Sequence, residues 1–167
     1  MPRKKYKILN QIGGFGLIEV VVGVAIMAGT FVALAGIARF SLSIIDNANF
    51  ELRSAFLMSE GVEAVKIIRD QGWTSNIAPL ANGTTYYLSY ASGAWSITAL
   101  PQPAIDDLFQ RTVTFAQVRR DVSDNIVSSG GSIDSGTRQV TVQVTWQYLG
   151  RTYTYSIVTY ITNLFAS

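Results

Sequence analysis

The sequence contains no cysteine and no histidine. That excludes disulfides, thiol nucleophiles and the usual Cys/His zinc sites, and with them a Ser–His–Asp triad. A domain without disulfides has to be held by its packed core. Proline is scarce as well: four residues in all, and none between Pro2 and Pro79. Nothing therefore forces a helix to break over that stretch. Charged residues make up only 14% of the chain, and they are missing where their absence says most. From Phe15 to Ala38, 24 residues carry a single charge, Glu19.

As a helix that run is about 36 Å long, enough for a hydrocarbon core of about 30 Å. No other segment approaches it, so one membrane-crossing helix is expected. Four basic residues precede it: Arg3, Lys4, Lys5 and Lys7. Without them, nine basic side chains face eleven acidic ones, a balance of −2 in place of the overall +2. The exported part is thus mildly acidic and does not ask for nucleic acid as a partner. Basic residues stay cytoplasmic, which puts the C-terminal region outside.

Beyond the apolar run the helical period continues. Leu52, Ala55, Met58, Val62, Val65 and Ile68 recur at three- and four-residue steps, as the inward face of an amphipathic helix. Gly72 and Trp73 mark its stop. The period then changes to two. Tyr86, Leu88 and Tyr90 alternate, Ser92-Gly93 turns the chain, and Trp95 and Ile97 follow. Phe109–Arg120 reads as a third strand and Ser123–Thr137, rich in Ser, Gly and Asp, as a loop. Val140, Val142, Val144, Trp146 and Tyr148 alternate with polar residues, Gly150 turns, and Thr152–Thr162 returns. The three tryptophans are expected in the core between helix and sheet. The fold class is α+β: one long N-terminal helix, half of it transmembrane, packed on an antiparallel sheet of about four to five strands. The segments are a basic leader 1–14, a transmembrane or filament-core helix 15–38, its amphipathic continuation 39–71 and an exported β-sheet domain 72–167.

Signals for chemistry are weak. Asp106-Asp107 and Asp121 with Asp124 are carboxylate pairs of the kind found in solvated turns. Asp121, Asp124, Asn125 and Asp134 lack the ligand spacing of a calcium loop. Arg111, Arg119, Arg120, Arg138 and Arg151 read as scattered arginines on a half-exposed sheet. No catalytic residue, metal site or cofactor is expected.

Gly14-Phe15-Gly16-Leu17-Ile18-Glu19, followed by the apolar run, resembles the processing site of type IV prepilins. Residues 1–38 carry the resemblance, with Gly16 where the family usually has Thr or Ser. Glu60-Gly61-Val62-Glu63-Ala64-Val65 with Arg69-Asp70 and Trp73 resembles minor pilins of the PilV type. The resemblance implies cleavage between Gly14 and Phe15 by a prepilin peptidase, N-methylation of Phe15, and Glu19 as the assembly charge. It implies a type IV pilin-like fold and a place in the cytoplasmic membrane, then in a cell-surface filament. The partners would be the lipid bilayer, an inner-membrane assembly platform and other pilin subunits along the N-terminal helix. Pseudopilins of type II secretion and DNA-uptake pilins share this architecture.

A carboxylate inside an apolar helix costs about 2.5–3.5 kcal/mol on insertion scales, so Glu19 needs a partner. The positive N-terminus of a neighbouring subunit is one; the alternative is a Glu that snorkels to the nearby interface. Ala25, Gly29 and Ala33, with Gly36 following, would let helices approach closely. Two rivals remain open. Ala33-Leu34-Ala35 fits an ordinary signal-peptidase site, which would release a soluble β-rich protein. An uncut single-span protein is the other.

Overall fold

The computed structural model of the chain describes residues 16–164. The chain divides into two compact units, Met1–Asp46 and Asn47–Ser167. One α-helix, α1 (Leu17–Gln71), contributes to both, as the lack of proline permits. In the first unit its residues are exposed except for half-buried Gly23 and Ser43. Exposed large apolar side chains run on to Ile45, well beyond Ala38, with Glu19 and Arg39 the charges among them. This helix is long and apolar enough to cross a membrane.

In the second unit α1 packs on a sheet. The packed stripe runs through Phe50, Ser54, Leu57, Met58, Gly61, Val62, Ala64, Val65 and Ile68. Met58, Val62, Val65 and Ile68 were expected there, but Leu52 is 57% exposed and Ala55 is exposed too. Each three-residue step falls about 60° short of a full turn, so two steps back from Met58 carry Leu52 about 120° off the stripe. Four-residue steps lead instead to Ser54 and Phe50. The helix ends at Gly72, whose φ of +154° few side chains tolerate. A single turn, α2 (Trp73–Asn76), follows, and Asn76 Nδ2 donates back to the Ile68 carbonyl at 3.2 Å.

Six antiparallel strands form the sheet: β1 (Thr85–Ala91), β2 (Ala94–Thr98), β3 (Gln110–Arg120), β4 (Ile126–Val127), β5 (Ser132–Tyr148) and β6 (Arg151–Thr162). Their order is β2-β1-β3-β5-β6, with β4 paired to β3 off this path. The β1–β2 and β5–β6 turns are two residues long, Ser92-Gly93 and Leu149-Gly150, with positive φ at both positions. Such turns match the twist of the strands they join.

The sheet thus has one strand more than expected, and the region read as a loop supplies it. β4 lies inside 123–137, and Ser132–Thr137 is the start of β5. The pairing of β3 with β5 shifts at Gln117/Val118 and then continues to Arg120 and Ser132. Polar contacts replace apolar alternation beyond this bulge. Arg120 Nε donates to Asp134 Oδ2 at 2.7 Å, and the Gly136 N–H donates to Asp134 Oδ1 at 2.8 Å. The Thr137 hydroxyl and the Arg120 guanidinium hold the Asp134 carboxyl below its ordinary range.

Val113 and Phe115 of β3 and Val140 and Val142 of β5 are buried in one cluster with Ala64, Val65 and Ile68, and Val144 and Trp146 form a second with Phe109, packed by Phe50, Leu57 and Met58. Each such large apolar side chain contributes about 1.5–3 kcal/mol on burial. Trp73 is buried and Trp95 half-buried in the first cluster, and Trp146 is buried in the second. Tyr153 and Tyr155 of β6 stack on Trp146 at 5.4 Å.

Candidate functional site

The start of α1 is built around Glu19. The Glu19 and Val20 N–H groups donate to the Gly16 carbonyl at 3.0 and 3.4 Å. In return the Gly16 N–H donates to Glu19 Oε2 at 3.0 Å. This is the carboxylate half of a capping box, in which an acid three residues into a helix satisfies an orphan donor at its start. A negative charge there also complements the helix dipole, by about 0.3–1 kcal/mol. The carboxylate therefore has a partner within its own chain, one that the sequence reading sought only in a neighbour. The signal was present as Gly16-Leu17-Ile18-Glu19, an acid three places after a helix-starting residue. Gly14 and Phe15, the expected cleavage and methylation residues, lie outside the described residues.

Ala25, Gly29, Ala33 and Gly36 all lie on α1 and all are exposed. At about 100° per residue they fall within a sector of about 80°, so they share one face. A Cβ added at Gly29 or Gly36 would meet nothing within 4 Å. Among the described residues, nothing packs into the space beside Gly29 and Gly36. Gly61 is the opposite case: a Cβ there would lie 2.7 Å from Val142 Cγ1.

The other residues singled out in the sequence hold loops. Asp106 pairs with Arg53. Asp121 Oδ1 accepts from the Ser123 and Asn125 N–H groups, both at 2.9 Å, and Asn125 holds its carboxyl below the ordinary range. Arg120 engages Asp134 at 2.7 Å and Asp124 at 3.6 Å. Among the described residues no three His, Cys, Asp or Glu side chains are grouped to hold a metal ion. The arginines work separately. Arg138 donates to the carbonyls of Ala78 and Leu80, and Arg119 to that of Gly131. Arg111, read as a half-exposed sheet arginine, is instead buried. It shares the inward parity of Phe109, Val113 and Phe115 on β3, which is the signal that places it.

Comparison of the chain with protein-family models, curated proteins and solved structures gave no match.

Proposed function

We propose that the chain is the precursor of a type IV pilin-like filament subunit, a low-copy minor pilin. A prepilin peptidase cuts between Gly14 and Phe15 and the new amino group of Phe15 is methylated. The start of α1 then holds the subunit in the cytoplasmic membrane with residues 72–167 outside. An inner-membrane assembly platform moves it into a cell-surface filament, where α1 packs on its counterparts. No catalytic group is assigned. The observation that carries this reading is the helix α1. Its first part exposes apolar side chains that no described residue covers, and its last part packs on the sheet. That division fits a helix made for lipid first and for other subunits afterwards.

Mass spectrometry of the chain recovered from sheared surface filaments tests it. The expected mature chain begins at a methylated Phe15. A mature N-terminus at Gly36, or an intact Met1, would overturn the reading in favour of a secreted or an uncut protein.

The open face at Gly29 gives a second expectation. Gly29→Leu should leave membrane insertion unchanged, because the added side chain starts in open space. It should lower the sheared filament fraction, because bulk now stands where backbones approach. The two quantities are measured separately by quantitative immunoblotting. Equal filament yield from variant and wild type would remove the packing role of this face.

A further inference from the structure

Asn82 and Gly83 lie between the single turn α2 and strand β1, and both are exposed to water. Gly83 has a φ of +70°. Glycine alone adopts that conformation at no steric cost, so the turn calls for it. The same requirement sets an unhindered backbone nitrogen directly after an asparagine, one of the thermolabile side chains. Attack of that nitrogen on the side-chain carbonyl would close a five-membered ring.

Hydrogen bonds pin both reacting groups. Arg138 Nη1 donates to Asn82 Oδ1. Arg138 Nη2 donates to the carbonyls of Ala78 and Leu80 at 3.0 and 3.1 Å. The Ala81 N–H donates to the Tyr86 hydroxyl at 2.9 Å. The Gly83 N–H donates to the Phe115 carbonyl, also at 2.9 Å. Arg138 is itself fixed, because β5 pairs it with Gln117 of β3 and Ile161 of β6. Ring closure needs the Asn82 side chain to swing and the Gly83 peptide to turn towards it. Each movement breaks one of these bonds. Segment 78–83 can lift off Arg138 as a local opening while the sheet stays folded.

We propose that Asn82 is a deamidation site whose reaction Arg138 gates. While the segment rests on Arg138 the site is silent. Once it lifts, the Gly83 nitrogen bonds to Asn82 Cγ and gives up its proton. The bond from Cγ to the side-chain nitrogen breaks, and that nitrogen leaves with the proton as ammonia. One water then opens the cyclic imide at either carbonyl, leaving an aspartyl or an isoaspartyl residue at position 82. One water is consumed and one ammonia released, with no change of oxidation state. The aspartyl product offers Arg138 a charged acceptor in place of a neutral one, which fastens the segment. The isoaspartyl product lengthens the main chain by one atom just ahead of β1. Every group involved belongs to the unit Asn47–Ser167, so the inference does not depend on the filament reading.

The test incubates the full chain in detergent micelles at mildly alkaline pH, well below its melting temperature. Deamidation at position 82 is followed by peptide mass spectrometry, beside a synthetic peptide of residues 78–88. The folded chain should react at least ~10-fold more slowly than the peptide. Arg138→Ala should raise the rate in the full chain about tenfold, the equivalent of one charged hydrogen bond. Tyr86→Phe removes only the acceptor of the Ala81 N–H and should raise it several-fold, which keeps the test alive if Arg138→Ala does not fold. Asn82→Gln should abolish the product. The proposal is overturned if the folded chain reacts as fast as the peptide. It is also overturned if neither Arg138→Ala nor Tyr86→Phe reacts faster than wild type, or if folded Arg138→Ala reacts more slowly.

Discussion

Gly61→Val is expected to destabilise the unit Asn47–Ser167 by about 3 kcal/mol, the upper end of what overpacking a filled core costs. An added Cβ would lie 2.7 Å from Val142 Cγ1, 3.1 Å from Arg111 Cδ and 3.6 Å from Leu88 Cδ1. Val142 is fully buried in the middle of β5 and Arg111 is held by Leu57 and Glu60, so neither neighbour can step aside. The helix itself has to withdraw from the sheet. Replacing glycine in a helix should by itself gain up to about 1 kcal/mol, so the clash has to exceed that gain to show. Melting is followed by tryptophan fluorescence of the full chain in detergent, with Gly36→Val as the control. Gly36 has open space around its Cβ position, and that variant should melt like wild type. For a unit of this size the Gly61→Val loss corresponds to a melting shift of roughly 10 °C. Equal melting of the two variants would show that the close approach at Gly61 is not tight.

Glu19→Gln should abolish most incorporation into filaments while leaving cleavage after Gly14 intact. The cap at the start of α1 sharpens this experiment. Glutamine keeps an oxygen that can accept from the Gly16 N–H, so the helix start survives while the charge is lost. On the filament reading, the neighbour's amino terminus then stays buried without its counter-charge. Removing one partner of a buried pair costs about 3–5 kcal/mol, more than a hundredfold in an equilibrium constant. Insertion of the precursor should be equal or slightly better, since no ion has to be desolvated. Glu19→Ala removes cap and charge together and serves as the comparison. Copies per filament are counted by mass spectrometry after cleavage has been verified. If Gln is incorporated normally and Ala is not, the role of Glu19 is to cap its own helix, and the pairing mechanism falls.

Much of the architecture could be read from the residues because two periods are written plainly. The apolar run with no proline dictated α1, and Val140, Val142, Val144 and Trp146 dictated an inward face of β5. What failed did so for identifiable reasons. Leu52 was placed inward by counting threes, which drifts around a helix. Ser132–Thr137 looked like a loop because its strand is secured by Arg120 and Asp134, and side-chain ion pairs leave no hydrophobic alternation. The intrachain partner of Glu19 is a backbone N–H, invisible to any argument that pairs side chains. The small residues Ala25, Gly29, Ala33 and Gly36 share a face by their spacing, whereas Gly61, which the sheet crowds, stands out only through its neighbours in space.

The position of β6 at the margin of the sheet bears on how the protein behaves when concentrated. β6 is twelve residues long, has β5 on one side and, among the described residues, no strand on the other. Its one charge is Arg151 at the very start, and it contains no proline. Natural edges are usually blunted by lysines, prolines or bulges, because a bare row of backbone donors and acceptors recruits strands from other molecules. β6 has none of these along its length, while Ile157 and Val158 stand 39% and 52% exposed on it. Self-association along this edge would be a polymerisation separate from any that α1 directs. Fibre diffraction tells the two apart, since stacked strands repeat at about 4.7 Å along the fibre and packed helices do not.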